Sequence, residues 1–467
     1  MAAAEDELIT NAGDYELEAL YLHTSVGLLD LKEFFIELHI YEDIYSASLS
    51  GNLVLADAVN LISATPLRGD EALTIKARTP TLEDTPENII YKTFQVYGIK
   101  DRIANNDGSQ YYNICFTSME NFADNLNTIS KTFRGTTDEI AAQIFNDYIR
   151  NERVLGIEGE SNFTELAIYD APHRSNLTYT SNYWTPFKNL SFISKRVRGK
   201  GFDGADYLFF ESNKNFYFAS VEVIIAAQIA NGLFDEYVYE RDSQNIPRRK
   251  SGFDFVGNVL PSKKTSIESI SIKETVDYIQ GQMSGMFASS IYGYDLSTKK
   301  FVQTNFNYVE EAGSFIRTDV GLPFPKDTLS NPRSYVDFVM FNSSLYNDYG
   351  KTDNENLPSG FSAEHYSDRH LFRRSYLNNL NNHVVEMTIP GRTDIQVGQL
   401  ISILYPNASI PDEETKDIDT IFDPIMTGAY LITAIHHKFT SERHVMITEA
   451  VKNGYRGTIG VENNAEA

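Results

Sequence analysis

Apolar and polar residues alternate along much of the chain, most clearly between residues 32 and 80. Apolar positions recur there in two runs, first Phe34, Ile36, Leu38 and Ile40 and then Leu49, Leu53 and Leu55. A period of two is typical of half-buried strands, and it returns at 73–77. Residues 41–46, which include Glu42 and Asp43, separate the two runs and predict a turn. The stretch is therefore predicted to be the core of an antiparallel barrel or sandwich.

Similar alternation extends this prediction in both directions. Residues 15–22 predict an earlier strand, and residues 94–98 and 112–116 predict two later ones. Together these strands predict a first antiparallel barrel within residues 1–117, with residues 1–14 as a loose leader.

Helical spacing replaces the alternation beyond the first barrel. Thr136 and Glu139 have the spacing of a capping box ahead of an apolar helix. Thr185 and Pro186 suit the cap and the first position of another helix. Residues 206–220 alternate again and predict a hairpin. The middle of the chain is therefore predicted to be a small α+β module.

The C-terminal part mixes these patterns. A short helix is predicted to end at Gly281 or Gly285, and a longer helix is predicted at 366–380. Residues 301–365 are rich in turn-forming residues and predict a globular insertion. Alternation returns in residues 383–453, which predict the last barrel segment.

The composition narrows the classes of function. The chain has 467 residues, enough for three or four domains. Its 64 acidic residues outnumber 40 basic ones, and the formal charge of −24 repels nucleic-acid phosphates. The longest apolar clusters, such as residues 221–230, are too short to cross a bilayer. The amino terminus has no secretory pattern, so we expect folding in a cytoplasm without membrane insertion.

Candidate catalytic and metal-binding residues are few. His436, His437 and His444 invite a metal interpretation, but neighbours on a predicted strand such as the first two point to opposite faces. The single cysteine, Cys115, lies in a predicted strand and is expected to be a buried, inert thiol. No G-x-S-x-G, H-E-x-x-H or G-x-x-x-x-G-K-[ST] motif occurs, and the G-x-G-x-x-G at residues 199–204 follows a predicted helix, not the strand that a dinucleotide-binding loop requires. We therefore predict no catalytic, cofactor-binding or metal-binding residue.

Other residues with chemical potential have ordinary structural explanations. Two adjacent carboxylate pairs could serve a glycosidase as acid and nucleophile, namely Glu42 with Asp43 and Glu310 with Glu311. In a chain with 64 acidic residues such pairs arise by chance, and we interpret them as solvated turn residues. Trp184 and its aromatic neighbours predict a packing anchor rather than a ligand pocket. The basic runs at 195–200 and 248–250 are explained by helix ends, or by a docking spot for an acidic partner, as well as by contact with nucleic acid.

Several stretches carry distinctive motifs. One is the order of strand, EDIY turn, strand ending in GNLVL, NLI segment and P-x-x-G-x-E within residues 32–80. Others are YTSNYWTPFKNL from residue 179, the LFFE and FYFAS hairpin after it, and DYIQGQMSGMFASSIYGYDLSTKKF at 277–301. A PG-x-x-D-x-x-x-G turn and a G-x-Y-x-I-x-x-x-x-H-x-F strand are formed by Pro390, Gly391, Asp394 and Gly398, and by Gly428, Tyr430, Ile432, His437 and Phe439. These stretches resemble the baseplate hub proteins of T-even-like contractile-tailed phages, whose barrels are related to those of type VI secretion spike proteins. The resemblance covers most of the chain and is weakest at 231–264 and 301–365.

The resemblance implies a mainly β fold with α+β modules. Its implied parts are a first tube-type antiparallel β-barrel at 1–117, an α+β middle domain and connection at 118–261, a second, discontinuous tube-type barrel at 262–300 with 381–453, an inserted lobe at 301–380, and a flexible tail at 454–467. Within the connection, residues 231–264 are expected to be exposed.

The resemblance also implies a structural function without enzyme activity or cofactor. Three chains would form a homotrimer whose six barrels make a pseudo-sixfold ring around a channel. The implied partners are the central spike, tail tube or tube-initiator proteins, baseplate wedge proteins and the tape measure protein, with viral DNA passing through unbound. Three copies carry 72 excess negative charges, three times 24, and acidic residues in the lumen would let DNA slide past. The protein would belong to the virion tail baseplate and be assembled in the host cytoplasm.

Two alternatives remain open from the residues alone. A peptidoglycan-degrading tail enzyme would use acidic catalysis in the inserted lobe. A carbohydrate-binding tip protein would use the aromatic residues of the 301–365 region.

Overall fold

The structure is a computed structural model that describes most of the chain. The described residues are 12–59, 61, 69, 71–105, 108–150, 165–169, 177–197, 204–232, 235–239, 265–275, 277–296, 299–311, 313, 315–319, 334–341, 363–406 and 422–455. Within these residues, none of the helices combines the length and the apolar composition needed to span a bilayer.

Strands account for most of the regular structure, as predicted for a mainly β fold. In chain order they are β1 (Glu16–Thr24), β2 (Gly27–Asp30), β3 (Phe35–Asp43), β4 (Ser50–Asp57), β5 (Ala72–Arg78), β6 (Ile89–Ala104), β7 (Gln110–Ser118), β8 (Thr132–Gly135), β9 (Leu166–Tyr169), β10 (Leu177–Thr180), β11 (Tyr207–Glu211), β12 (Phe216–Ser220), β13 (Glu236–Tyr239), β14 (Ser266–Ile267), β15 (Ser269–Thr275), β16 (Ala288–Asp295), β17 (Phe301–Asn307), β18 (Tyr335–Phe341), β19 (His383–Pro390), β20 (Leu400–Leu404), β21 (Gly428–Thr440) and β22 (His444–Val451).

Among the described residues the helices are fewer than the strands, and the longest of them has 18 residues. They are α1 (Met119–Leu126), α2 (Thr137–Ile144), α3 (Pro186–Ser194), α4 (Val221–Asn231), α5 (Tyr278–Ser284), α6 (Tyr308–Glu311) and α7 (Ala363–Leu380). As predicted, α5 ends at Gly285, whose φ of 77° is left-handed and favours glycine.

The first seven strands form one curled half of a large sheet. Their order is β3-β4-β7-β6-β5-β1-β2, and all neighbouring pairs are antiparallel. Although β1 and β3 are far apart in this order, Leu20 of β1 and Leu38 of β3 belong to the same buried core. The sheet therefore curls so that one face encloses that core.

The second half of the sheet is joined to the first through β21. This 13-residue strand pairs with β20 and β22 in the second half and with β3 in the first. β19 connects β22 to β15, and β13 connects β20 to β14, so 14 strands form one continuous sheet. Ile267 of β14 and Met387 of β19 share a core, so this half also curls. The predicted mainly β fold class is confirmed, with two barrel-like halves and smaller α+β parts. The second half is not antiparallel throughout, because β13 pairs in parallel with β14 and with β20.

A small α+β module lies between the two halves in the chain. β8 pairs with β10, and β9, β12 and β11 form a second small sheet. Helices α2 and α3 pack into a common core with these strands, where Leu190 and Ile193 are fully buried. The backbone N–H of Thr136 donates to the Glu139 carboxylate at 3.1 Å, which is the predicted capping contact at the start of α2.

β16, β17 and β18 form a separate sheet that packs on α7. The central strand, β16, is antiparallel to β17 and parallel to β18. Phe372 of α7 meets Phe306 and Phe315 at ring-centroid distances of 5.1 and 5.9 Å. The assignment of residues 262–300 to the second barrel is therefore wrong for β16, because its backbone pairs with the strands of the lobe.

Three further expectations are corrected by burial and hydrogen bonding. β13 lies within the connection expected to be exposed, and its Tyr237 is fully buried. Gly13 of the expected loose leader accepts a hydrogen bond from the His444 backbone N–H at 2.8 Å. Tyr455 of the expected flexible tail is buried. Most of the leader, the connection and the tail lies outside the described residues, namely 1–11, 240–264 and 456–467.

Candidate functional site

The strands β3, β21 and β22 lie side by side where the two halves meet, and we call this region the seam. On its inner face a buried hydrogen-bond chain joins Glu42, His437 and His444, which we call the inner histidine chain. His437 Nε2 lies 3.0 Å from Glu42 Oε1, and His437 Nδ1 lies 3.2 Å from His444 Nε2. Because a carboxylate only accepts, His437 donates to Glu42 and accepts from His444. Burial, and then the neighbouring His437, lower the pKa of His444 well below 6.5.

Gly391, in the turn after β19, leaves room for the inner histidine chain. A Cβ at this position would lie 2.1 Å from His444 Cγ. The imidazole of His444 also stacks on Phe439 with ring centroids 3.9 Å apart. The close approach of this ring therefore explains why the turn has glycine here.

A second chain of the same residue types crosses the outer face of the seam, and we call it the outer histidine chain. Glu37 Oε2 lies 3.2 Å from His39 Nε2, and His39 Nδ1 lies 2.8 Å from His436 Nε2. Lys438 Nζ pairs with Glu37 Oε1 at 3.1 Å, and Tyr41 stacks on His436 at 4.6 Å. Burial, followed by the charges of nearby groups, lowers the pKa of His436 to about 4. The order of atoms matches the inner histidine chain, but these side chains are only partly buried.

The prediction that His436 and His437 point to opposite faces is confirmed. His437 bonds to Glu42 on the inner face, whereas His436 bonds to His39 on the outer face. In the part of the chain that the structure describes, no group of three or more His, Cys, Asp or Glu side chains is arranged to hold a metal ion.

The interpretation of Glu42 as a solvated turn residue is wrong. β3 continues through Asp43, and the turn begins only at Ile44. Glu42 is buried because it shares the face of Ile40 two positions earlier. The alternation was the available signal, since extending the predicted strand by two residues places this carboxylate in the core. The Asp43 carboxylate accepts from the Tyr45 backbone N–H at 2.7 Å, as expected in a turn.

A second buried cluster fastens the middle module to the first half. Glu211 at the end of β11 pairs with Lys92 of β6, and both side chains are almost completely buried. The same carboxylate accepts hydrogen bonds from the Leu49 backbone N–H at 2.7 Å and from Ser118 Oγ. No local pattern predicted this pair, because its members belong to different predicted domains.

A third buried cluster surrounds Lys452 at the end of β22. Its ammonium donates to the backbone oxygens of Ile425 and Thr427 and lies 4.9 and 4.8 Å from the ring centroids of Tyr430 and Tyr455. Burial lowers the pKa of Lys452 to about 7, although nearby carboxylates act against this. Carbonyl oxygens and aromatic rings enclose the amine, so the cluster is built for packing rather than for reaction with a substrate.

The other residues singled out in the sequence have structural places. Cys115 is buried on β7, as predicted. Trp184 packs on Phe192 with ring centroids 4.9 Å apart, and Arg196 at the end of α3 lies 3.4 Å from the same ring. Glu310 is exposed, as expected for a solvated residue, but it and Glu311 lie on α6 and not in a turn. The end of the first basic run, residues 198–200, and all of the second, residues 248–250, lie outside the described residues.

An open depression lies beside the seam, and Tyr15, whose pKa burial raises to about 12, contributes an ionisable group to it. The depression, of about 450 Å³, is lined by Asp14, Tyr15, Leu17, Lys32, Phe35, Ser441 and Glu442. The buried histidines and Lys452 are not among these lining residues. The three buried clusters thus connect parts of the fold, and Tyr15 links the depression to the inner histidine chain, since its ring centroid lies 6.3 Å from that of His444.

Comparisons with known proteins find likeness only in structure. No protein-family model matches the chain, and no curated protein matches it. A tail protein from Neisseria meningitidis has 9% identity and a TM-score of 0.49, covering 94% of this chain and 97% of its own. A 43 kDa prophage tail protein from Shewanella oneidensis has 10% identity and a TM-score of 0.49, and the match covers 94% of this chain and 98% of that protein. A type VI secretion component from E. coli has 7% identity and a TM-score of 0.40, and the match covers 95% of this chain and 79% of that protein. At these scores and identities, the similarities carry no argument about function.

Proposed function

We propose that this chain is a structural hub protein of a phage-type tail baseplate, which forms a homotrimer and connects a tail tube to a central spike. The observation that carries the proposal is the continuous sheet, in which β21 belongs to both barrel-like halves. One chain thereby holds two curled sheets beside each other in a fixed relation. Three chains around an axis would supply six such units, which suits contact with a sixfold tube on one side and a threefold spike on the other.

The buried clusters support a rigid connecting part. The inner histidine chain joins β3 to β21 and β22, and Glu211 with Lys92 joins the middle module to the first half. Removing one partner of a buried charged pair costs about 3–5 kcal/mol. The relative placement of these parts is therefore strongly specified, which suits a protein that transmits force between a tube and a spike.

The charge supports passage of DNA through a channel without binding. A trimer carries 72 excess negative charges, three times the 24 of one chain, and carboxylates along a lumen repel phosphates. The motifs shared with hub proteins extend the proposal to contacts with tube, tube-initiator, wedge and tape measure proteins in a virion baseplate. None of the charged or histidine side chains of the three buried clusters lines the open depression, which supports a function without catalysis.

The mass of the purified protein in solution tests this proposal. Three chains of 52.8 kDa give about 158 kDa, which light scattering distinguishes from the mass of one or two chains. Because acidic copies repel one another, we expect the trimer to be more stable at high salt. Electron microscopy should then show a ring of six similar lobes around an opening. A single-chain mass at all concentrations and salt conditions, or lysis of peptidoglycan by the pure chain in a gel assay, would contradict the proposal.

A further inference from the structure

The outer face of the lobe sheet is apolar and exposed. The register of β16 with β18 places Tyr292 beside Phe338 and Tyr294 beside Met340, and β17 adds Phe301 on the same face. Phe338 is 79% exposed, Met340 77% and Phe301 64%. The ring of Tyr292 lies 5.4 Å from that of Phe338 and 6.0 Å from that of Phe301. A row of aromatic rings therefore crosses all three strands on the side opposite α7, and we call this surface the lobe face.

The size and charge of the lobe face suit contact with another protein surface. At about 200 Å² for a fully exposed large side chain, its exposed apolar residues present on the order of 600 Å². One partner of a standard interface contributes about 800 Å². The positions that share the face by register include no Asp or Glu: Ser290, Tyr292, Tyr294, Phe301, Gln303, Asn305, Val336, Phe338 and Met340. A second copy of this acidic chain can therefore approach the lobe face without opposing or desolvating a carboxylate there.

A threefold ring needs a second, different surface on each chain, because a face that meets its own copy closes a dimer. The outer face of the β6–β7 hairpin provides an apolar surface of this kind. Ile103, which is 60% exposed, lies opposite Tyr111 across the hairpin, and Tyr97 is exposed nearer the start of β6. Lys100 and Asn113 are paired between them, so this surface carries polar as well as apolar groups. We call this surface the hairpin face.

We infer that the lobe face of one copy packs on the hairpin face of the next copy, three times around the axis of the trimer. The inference rests on the proposed trimer and names the surfaces that close it. Each chain offers one face to the neighbour on one side and the other face to the neighbour on the other side. Burial of Phe338, Met340 and Ile103 then removes apolar surface from water in all three contacts.

Two charge substitutions test the two faces separately. Phe338→Glu places a carboxylate in the lobe face, and Ile103→Glu places one in the hairpin face. Each variant is expected to lose the trimer and to give the mass of a single chain by light scattering. Val26→Glu is the matched control, because Val26 is 75% exposed at the β1–β2 turn and belongs to neither face. This control should keep the trimer mass. Circular dichroism checks folding, and Met340→Glu replaces Phe338→Glu if that variant does not fold.

Mixing the two variants gives the sharper result. The intact lobe face of Ile103→Glu can bind the intact hairpin face of Phe338→Glu, but the two remaining faces of that pair are both blocked. An equimolar mixture should therefore form a complex of two chains, about 106 kDa from twice 52.8 kDa, and no trimer. If the mixture stays monomeric, or if Phe338→Glu remains a trimer, the pairing of these faces is overturned while the proposed trimer stands. If the unmodified protein is itself monomeric, both are overturned.

Discussion

The two faces of the seam carry the same chemistry in two different environments. The inner histidine chain has contacts of 3.0 and 3.2 Å, and the outer histidine chain has contacts of 3.2 and 2.8 Å in the same order of atoms. The inner side chains are fully buried, whereas Glu37 and Lys438 on the outer face keep 35% of their side-chain surface exposed. Because the two histidine chains have such similar geometry, their burial decides how much each contributes to the free energy of unfolding.

The physical reason is the cost of leaving a polar group without water. A buried imidazole that loses its acceptor finds no replacement, so the whole desolvation cost appears in the free energy of unfolding. An exposed ion pair that loses one partner is compensated by solvent and contributes about 0–1 kcal/mol. The inner histidine chain therefore specifies how the two halves join, and the outer one is free to vary or to serve a contact.

Glu42→Ala is expected to give the largest effect, because it leaves His437 without its acceptor inside the seam. The same carboxylate accepts from the Val397 backbone N–H at 3.4 Å, so two donors lose their partner. Because the His437 that accepts from His444 is neutral, the cost is that of buried donors left unsatisfied, about 1–3 kcal/mol each. Urea denaturation followed by circular dichroism measures this fall in the free energy of unfolding. Glu42→Gln keeps an acceptor of the same shape and should lose less. A loss below about 1 kcal/mol for Glu42→Ala would show that solvent reaches the seam.

Lowering the pH is expected to reduce the free energy of unfolding by an intermediate amount. The folded chain keeps the pKa of His444 well below 6.5 through burial and then through His437. As pH falls below about 6.5, the unfolded chain takes up a proton that the folded chain refuses, so stability decreases on the acid side and is fully present above this range. The slope from one such group is at most about 1.4 kcal/mol per pH unit.

His444→Gln should therefore flatten the acid limb of the stability curve, measured as urea midpoints between about pH 7 and pH 5. His39→Gln is the matched variant on the outer face, where burial also lowers the pKa but 12% of the side-chain surface stays exposed. It should flatten the same limb by a smaller amount. If stability changed equally steeply with pH in both variants, burial would not distinguish the inner histidine chain from the outer one.

Local patterns in the sequence predicted the elements well and their long-range contacts poorly. Alternation predicted β3 and β4, and the spacing of Thr136 with Glu139 predicted the start of α2, because both signals lie within a few residues. The pairing of Glu211 with Lys92 could not be predicted, since nothing near either residue depends on the other.

The failures at Glu42 and β16 have the same cause. A carboxylate is usually solvated, so its strand was predicted to end early, and only the neighbouring strand β21 reveals that His437 satisfies it. β16 follows β15 closely in the chain, and its membership of the lobe is decided by pairing with β18, which begins 40 residues after β16 has ended at Asp295. Composition and periodicity carry no information about which of two sheets accepts a strand.

Glu37→Ala is expected to give the smallest effect, about 0–1 kcal/mol in the free energy of unfolding. The Lys438 ammonium and the His39 ring lose an acceptor, but water replaces it at this partly exposed site. High salt should reduce the difference further, because screening weakens exposed ion pairs, whereas the effect of Glu42→Ala should persist. Urea denaturation at two salt concentrations measures both. If Glu37→Ala costs as much as Glu42→Ala in the oligomer and much less in the monomeric Phe338→Glu variant, a neighbouring copy buries the outer histidine chain as well.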